Sequence, residues 1–274
     1  MPDASVEEIE VRLLLEAIHA RYGYDLRSYA FASMRRRVRA AVVRFGMQNL
    51  GELQHRVLHD AELFARLLGE LTVPVSEMFR DPTFFLAFRA RVVPLLRTYP
   101  RIKIWHCGCA TGEEVFATAI LLTEEDLYDR ATIFATDLSP RALELAAQGI
   151  YDASRAPRFG QNYVSAGGTA TLDRYYTAAY DRISLRDSLT KNVVFFQHDL
   201  VSDHVFAEMN VVFCRNVLIY FNPPLRDRVL EKIAQSLRPG GFLCLGSSER
   251  LTATGVGALF TEVDRAQRIY RLAA

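Results

Sequence analysis

The sequence has few cysteines and lacks the features of a membrane protein. Its four cysteines lie in apolar runs, with no CxxC pair and no histidine at ligand spacing. These cysteines therefore predict buried free thiols rather than a metal site. No apolar run approaches the roughly 20 residues that a membrane-spanning helix requires, and the first residues lack the pattern of a signal peptide. We expect a cytoplasmic protein that binds no metal and inserts no segment into a membrane.

The chain also has almost no net charge, +1 over 274 residues, so its overall charge indicates no particular partner. Half of the residues are hydrophobic, which is enough for one large domain or two of unequal size. Charge is concentrated locally, because seven arginines accompany one acid, Asp25, between Arg21 and Arg44. This pattern predicts a basic helix face that binds an acidic partner. The substrate-binding candidates on this face are Arg35, Arg36, Arg37 and Arg39.

The hydrophobic pattern changes near residue 99. Before it, apolar residues recur at helical spacing, which predicts a helical N-terminal domain over 1–80 and a linker helix over 81–98. After it, β-branched runs such as "TIFATD" and "NVVFCRN" alternate with helical segments. This alternation predicts an α/β domain over 99–274 with a Rossmann-like, doubly wound sheet. Turn signals interrupt the alternation, so we expect a small β-subdomain inserted at 151–191. The last run, "AQRIYRL", is expected to return antiparallel at a sheet edge.

A glycine-rich turn follows the first predicted strand, in "IKIWHCGCATGEE". Turns of this kind usually bind phosphate, because the N-terminus of the following helix attracts anions. Here Glu113 and Glu114 begin the helix, and their charges would repel a pyrophosphate. The two acids favour a nucleoside ligand with a cationic tail. S-adenosylmethionine has this chemistry, and Gly108 would let it approach the backbone closely.

Polar residues follow the ends of the next predicted strands. Asp137 ends the second strand, and a carboxylate there can accept hydrogen bonds from both ribose hydroxyls of a nucleoside. Residues 198–200 end the third strand, where a polar side chain and a backbone amide can bind adenine, and Arg215 and Asn216 end the fourth. Because the carboxyl ends of parallel strands meet at one edge, we expect one ligand site there. Each acid taken alone could instead cap its own loop.

Several segments resemble those of one known family. "LTVPVSEMFRDPTFF" resembles its L-T-x-N-x-T-x-F-F-R segment, "IWHCGCATGEE" its W-x-x-G-C-S-T-G-E-E, and "IFATDLSPRALELAAQGIY" its A-T-D-I segment. The run from "VVFCRNVLIYF" to "LGSSERL" follows the family's F-C-R-N-V-x-I-Y-F through G-H-S-E almost position for position. Over nearly its whole length the chain resembles the CheR-type chemotaxis-receptor methyltransferases. Members of that family form methyl esters on receptor glutamates with S-adenosylmethionine.

The resemblance implies roles for residues at matched positions. Arg80 and Tyr220 would face the reacting centre as catalytic residues. The implied cofactor contacts, together with Gly108, are Ser76, Arg80, Glu113, Asp137, Asp199, Leu200, Arg215 and Asn216. Pro74 also occupies a cofactor-binding position, where the family has asparagine, and proline offers neither a side-chain amide nor an N–H.

The resemblance also implies the partner. It would be an acidic, helical cytoplasmic region of a chemoreceptor or related signalling protein, which the arginine face would attract. Residues 175–195 leave little room for the extra loop with which some members bind a C-terminal receptor pentapeptide. We therefore expect an enzyme that works without this tether, as a monomer and without nucleic acid.

Two other functions fit parts of the sequence. "NPPL" at 222–225 is similar to the Asn-Pro-Pro-aromatic motif of amino-methyltransferases, and the arginines could contact nucleic-acid phosphates. However, Leu225 replaces the aromatic residue that would stack on a base, and Asn222 is better placed to cap a helix over 224–238. Pro74 leaves open a third function, a non-catalytic adaptor that binds S-adenosylmethionine.

Overall fold

The computed structural model describes residues 5–72, 76–252 and 255–273. The first of these ranges folds into four helices around one apolar core. Ser5, Asn49 and Asp60 cap three of the helices, because the first N–H groups of a helix need acceptors outside it. The helices are α1 (Val6–Tyr22), α2 (Phe31–Arg44), α3 (Leu50–His59) and α4 (Ala61–Leu71).

Two helices, α5 (Pro82–Arg91) and α6 (Val93–Leu96), connect this bundle to the sheet. The structure differs here from the single linker helix predicted over 81–98. Pro94 lacks the N–H that a continuous helix would use at this point, and the chain breaks into two helices. Three buried phenylalanines attach α5 to the core beneath the sheet.

The remaining helices and strands alternate along the chain. The helices are α7 (Glu113–Glu124), α8 (Pro140–Gln148), α9 (Ala156–Ser165) and α10 (Pro223–Ser236). The strands are β1 (Ile102–Cys107), β2 (Ala131–Asp137), β3 (Ile150–Asp152), β4 (Tyr176–Ala179), β5 (Arg182–Leu185), β6 (Val193–Gln197), β7 (Met209–Cys214), β8 (Leu237–Leu245), β9 (Phe260–Asp264) and β10 (Ile269–Leu272). Within the described ranges, the helices are too short or too polar to cross a membrane.

The main sheet confirms the predicted doubly wound α/β fold. Its seven strands lie in the order β6-β2-β1-β7-β8-β10-β9, and the first five of these run parallel. The chain order reverses beside β1, and open α/β sheets bind ligands at such a point. Strand β10 pairs antiparallel with both β8 and β9, so it is interior rather than at the predicted edge. Strand β9, which the sequence did not indicate, forms that edge.

The inserted segment forms its own antiparallel sheet, in the order β3-β5-β4, with helix α9 beside it. Tyr151, Phe159 and Tyr163 are buried, and they join the inserted segment to the main core. Asn162 on α9 donates a hydrogen bond to the carbonyl of Met78 at 3.1 Å. The insertion therefore contacts the segment that leads to Arg80.

Candidate active site

A cavity lies at the carboxyl ends of β1, β2, β6 and β7, and residues of α2 and α4 close it from the N-terminal side. Its volume is about 110 Å³. The predicted site residues that the structure brings together on its wall are Ser76, Arg80, Gly108, Asp137, Asp199, Leu200, Arg215, Asn216, Tyr220 and Arg37. The described candidates outside its wall are Glu113, Arg35, Arg36 and Arg39. Pro74 lies outside the described residues.

The glycine turn comes close to the cavity because its backbone adopts left-handed conformations. Gly108 has a φ of 64°, and a Cβ atom there would lie 2.7 Å from Val217 Cγ2, closer than real side chains pack. Ala110 also has a positive φ, 49°. Its N–H donates to Asp137 Oδ2 at 2.9 Å. Asp137 therefore stabilises the conformation of the turn in addition to lining the cavity.

Asp137 is a buried acid at the end of β2. Its Oδ1 accepts the N–H of Ser139 at 2.9 Å, while Oδ2 accepts that of Ala110. Each oxygen keeps a further lone pair, so the side chain can accept two more hydrogen bonds from a ligand. Burial raises the pKa of this carboxyl above its ordinary value, although the backbone donors oppose the rise. The two neighbouring hydroxyls of a ribose fit this arrangement.

The loop after β6 is held from outside the cavity by a lysine. Asp199 and Leu200 line the cavity, and Asp199 Oδ1 accepts the N–H of Val201 at 2.8 Å. From α10, Lys232 Nζ donates to the carbonyl oxygens of Val201 at 2.6 Å and Asp203 at 2.9 Å. The ammonium group thus stabilises the loop conformation that presents Asp199 and Leu200.

Glu114, the second residue of helix α7, lines the cavity. It forms an ion pair with Arg215, and its Oε1 lies 3.3 Å from His106 Nδ1. Burial alone would raise the pKa of Glu114, but Arg215 and His106 outweigh burial and lower the pKa to about 2. The carboxylate is therefore ionised at neutral pH, beside a guanidinium that also pairs with Asp81 at 2.9 Å.

Glu113 lies away from the cavity wall, although the resemblance implies that it contacts the cofactor. Its side chain is fully buried, with Oε1 at 2.7 Å from Arg155 Nη1. Its Oε2 accepts the hydroxyl of Thr111 at 2.6 Å. Consecutive residues of a helix differ in direction by about 100°, so two adjacent glutamates do not face the same cavity. The structure therefore places Glu114, rather than the predicted Glu113, beside the ligand space.

Arg80, Arg37 and Tyr220 all line the cavity. In the part of the chain that the structure describes, the Arg80 side chain has no hydrogen-bond or ion-pair partner. Arg37 is buried, donates to the carbonyl of Leu71, and lies over the Tyr220 ring at 4.6 Å from its centre. Its Nε has no partner among the described residues. Two guanidinium groups therefore keep donors that an anionic ligand could use.

The arginine face of α2 is less free than the sequence predicts. Arg35 forms an ion pair with Glu8 at 2.8 Å, and Arg39 forms one with Glu7 at 3.0 Å. Both acids come from α1, so a count of charges between Arg21 and Arg44 does not include them. Arg36 is exposed and has no ion pair within the described ranges. Among the four candidates, Arg36 is therefore the unpaired surface charge.

Glu249 is a residue that the sequence reasoning missed. It is buried behind the cavity wall, and its carboxylate accepts the N–H groups of Gly246 at 2.6 Å, Asn216 at 2.8 Å and Ile219 at 3.3 Å. Asn216 and Ile219 belong to the loop that carries Tyr220 to the cavity. Glu249 occupies the last position of the G-H-S-E match, and that match could have identified it as a site residue.

Glu249→Gln is expected to lower kcat/KM for methyl transfer about 10-fold, because an amide NH₂ would face backbone donors that the carboxylate now accepts. Steady-state kinetics on the purified variant would measure this effect. Glu262→Gln is the matched control, since Glu262 is exposed on β9 and its side chain has no partner in the described part of the chain. A Glu249→Gln variant with unchanged kcat/KM would contradict the prediction.

The "NPPL" segment begins helix α10. Asn222 Oδ1 accepts the N–H of Leu225 at 3.0 Å, and Pro223 is the first helical residue. The prediction that Asn222 caps a helix is therefore confirmed. Within the described residues, these four positions lie off the cavity wall. They provide no base-binding motif at the site.

Comparison with known proteins identifies the family. Residues 74–266 match the model of the CheR methyltransferase, SAM binding domain, and residues 9–72 match that of the CheR methyltransferase, all-alpha domain. Over 264 residues the chain is 50% identical to Cher3 of Pseudomonas putida, named provisionally as a methyltransferase, with 96% of this chain and 97% of that protein covered. Over 231 residues it is 29% identical to a chemotaxis protein methyltransferase of Listeria monocytogenes, covering 84% and 85%.

Among solved structures, the chain is similar to the N-methyltransferase NodS of Bradyrhizobium japonicum in complex with S-adenosyl-L-homocysteine. The identity is 15% and the TM-score is 0.36. The match covers 62% of each chain. The two domain matches together span most of the sequence, and they identify the family. This chain belongs to the CheR methyltransferase family, and its cofactor is S-adenosylmethionine.

Proposed function

We propose that the protein transfers the methyl group of S-adenosylmethionine to glutamate side chains of a chemoreceptor or related signalling protein, forming glutamate methyl esters. The observation that carries the proposal is that Arg80, Arg37 and Tyr220 line the same cavity, with Arg37 over the Tyr220 ring. Both arginines keep guanidinium donors without partners in the described chain. The planar fork of a guanidinium matches the two oxygens of a carboxylate.

The substrate needs little chemical activation. A glutamate carboxylate has a pKa of about 4.3, so it is ionised at neutral pH and is already a nucleophile. Bound S-adenosylmethionine would supply an electrophilic methyl group, and S-adenosylhomocysteine would leave as the S–CH₃ bond breaks. Arg80 would hold the carboxylate through two N–H groups, and the Tyr220 hydroxyl would donate to one of its oxygens. Orientation of this kind can lower the activation barrier by roughly 7–11 kcal/mol.

Arg37 would act beside Arg80. Its bond to the Leu71 carbonyl and its position over the Tyr220 ring fix the guanidinium, so it adds positive charge at a constant place. That charge attracts the ionised substrate. Methylation removes the substrate's negative charge, and the ester product should therefore be bound more weakly than the acid.

For the cofactor, we propose contacts from residues that line the cavity. Asp137 would accept the ribose hydroxyls, and Asp199 with Leu200 would hold the adenine. Arg215 also lines the cavity, and its guanidinium would attract the carboxylate of the amino-acid part. The remaining proposed contacts are Ser76, Gly108 and Asn216.

The proposed partner is an acidic helical region in the cytoplasm, and α2 would bind it. Arg36 supplies an exposed, unpaired charge in the described chain, and the neighbouring Arg37 reaches the cavity from the same helix. A helix docked along α2 would therefore bring its glutamates near the reacting groups. Binding without a pentapeptide tether is proposed from the short segment 175–195, and the working unit is proposed to be a monomer.

Methanol release tests the proposal. The protein is incubated with methyl-labelled S-adenosylmethionine and a soluble cytoplasmic fragment of a chemoreceptor, and mild alkali then hydrolyses any ester. We expect volatile labelled methanol, and much less of it from the same fragment with its glutamates replaced by alanine. Label that resists alkali, or label transferred to DNA or RNA, would overturn the proposal. Cofactor binding without any transfer would favour the adaptor function instead.

A further inference from the structure

Arg80 sits on a turn with unusual backbone geometry. The residues on either side, Phe79 and Asp81, have φ angles of 53° and 55°, in the left-handed region that non-glycine residues rarely adopt. Such conformations persist only where the surrounding structure stabilises them, and they concentrate at functional sites. The contacts that maintain this turn therefore determine where the Arg80 guanidinium lies.

Three residues around helix α9 supply such contacts to three consecutive residues before the turn. Arg155 Nη2 donates to the carbonyl of Ser76 at 2.6 Å, and Arg158 Nε donates to Glu77 Oε1 at 2.8 Å. Asn162 Nδ2 donates to the carbonyl of Met78 at 3.1 Å. The donors are spaced by three and four residues, so they lie on one side of the helix.

These contacts differ in how far they are shielded from water. The Arg158 side chain is 66% exposed, so its ion pair contributes little. Asn162 is only 4% exposed, and the Met78 carbonyl depends on its amide. Removing that amide would leave a buried acceptor without a partner, which is costly. Asn162 is therefore the strongest of the three attachments.

Arg155 connects the turn to a second part of the site. Besides the Ser76 carbonyl, its guanidinium binds the buried carboxylate of Glu113, the first residue of α7 after the glycine turn. Aromatic packing supports the same region, because Phe79 packs against Tyr163 of α9 with ring centres 5.4 Å apart. The inserted segment thus contacts both the segment that leads to Arg80 and the first residue of α7, and it does not line the ligand space.

We infer that the inserted subdomain is a positioning element for methyl transfer, in which Asn162 and Arg155 set the position of Arg80. Neither of these two residues lines the cavity. They act through the backbone of residues 76–78 and, for Arg155, through Glu113. The inference rests on the proposed function, because it assigns Arg80 to the substrate carboxylate. It gives the insertion a role that needs no receptor tether.

The main test is Asn162→Leu, which keeps the number of side-chain heavy atoms and the branch at Cγ and removes the amide. We expect kcat to fall about 10-fold to 100-fold with a smaller change in KM, because displacement of a reacting group impairs orientation more than binding. In an Arg80→Lys background the same change should lower kcat less than about 2-fold. Asn162 is inferred to act through the Arg80 guanidinium, which that background has already removed. Gln161→Leu, at an exposed neighbouring position of α9, should leave kcat unchanged.

Hydrogen exchange measures the position of the turn independently of catalysis. We expect faster exchange of the amides of residues 76–81 in Asn162→Leu than in the wild type or Gln161→Leu. Unchanged exchange, or an equal fall in kcat with and without Arg80→Lys, would overturn the inference. If the wild type transfers no methyl group, the proposed function fails, and the exchange result still decides whether α9 holds the turn. Should Asn162→Leu not fold, Arg155→Lys takes its place, with the same expected results.

Discussion

Replacing Arg80 with alanine is expected to lower kcat/KM for methyl transfer by about 100-fold or more. The Arg80 side chain has no partner among the described residues, so its loss should leave the fold intact. What the variant loses is the planar group that would hold the substrate carboxylate beside Tyr220. Steady-state kinetics with a receptor fragment, together with thermal unfolding, would separate loss of activity from loss of stability.

Two further variants make this result specific. Arg80→Lys keeps the charge but not the two-pronged geometry, so it should recover only part of the activity. Arg174→Ala removes an exposed arginine with no side-chain partner in the described ranges, and it should behave like the wild type. If Arg80→Ala retained wild-type turnover, Arg80 would have no part in transfer.

Asp137→Asn is expected to weaken binding of S-adenosylhomocysteine about 10-fold to 100-fold, the loss typical of a charged hydrogen-bonding partner. The carboxylate has two functions in the structure, since it accepts the N–H of Ala110 in the glycine turn and keeps lone pairs facing the ligand space. An amide can serve only one of these well. Calorimetry would measure the affinity, with the exposed Asp129→Asn as control. Equal affinity in the wild type and Asp137→Asn would contradict the assigned contact.

The same carboxylate predicts a pH dependence. Because burial raises the pKa of Asp137, the group takes up a proton at a higher pH than an ordinary aspartate does. The ionised form is present above that pKa and is lost as the pH falls through it, so cofactor affinity should decrease toward acidic pH. Burial raises the pKa of Asp199 as well, and its effect has the same sign. Affinity in Asp137→Asn should change less over this range, and an identical pH profile would argue against the assignment.

Several parts of the site could be predicted because each depends on local rules. The glycine turn needs a left-handed residue at Gly108, and the strand ends place Asp137 and Asp199 at one sheet edge. The cap at Asn222 follows from the preference of helix starts for a polar acceptor. In each case the chain itself carries the information within a few residues.

Other parts could not be predicted, because they depend on residues far away in the chain. The arginines of α2 seemed unpaired until α1 placed Glu7 and Glu8 against them. The repulsion expected between Glu114 and a phosphate ignored Arg215, which lies 101 positions later and pairs with the acid. Arg215 therefore weakens the repulsion that favoured a cationic ligand, and the family match supports the same cofactor independently.

The sequence by itself determined the doubly wound sheet, the glycine turn and the polar residues at the strand ends, since strand period, turn chemistry and capping act over short distances. Tertiary structure alone decided which of two adjacent glutamates reaches the cavity, how many arginines remain unpaired, and that α9 contacts the turn bearing Arg80. These outcomes depend on which charges and donors become neighbours after folding. Electrostatic and hydrogen-bond energies depend on the distance between groups in space, which cannot be read from their separation along the chain.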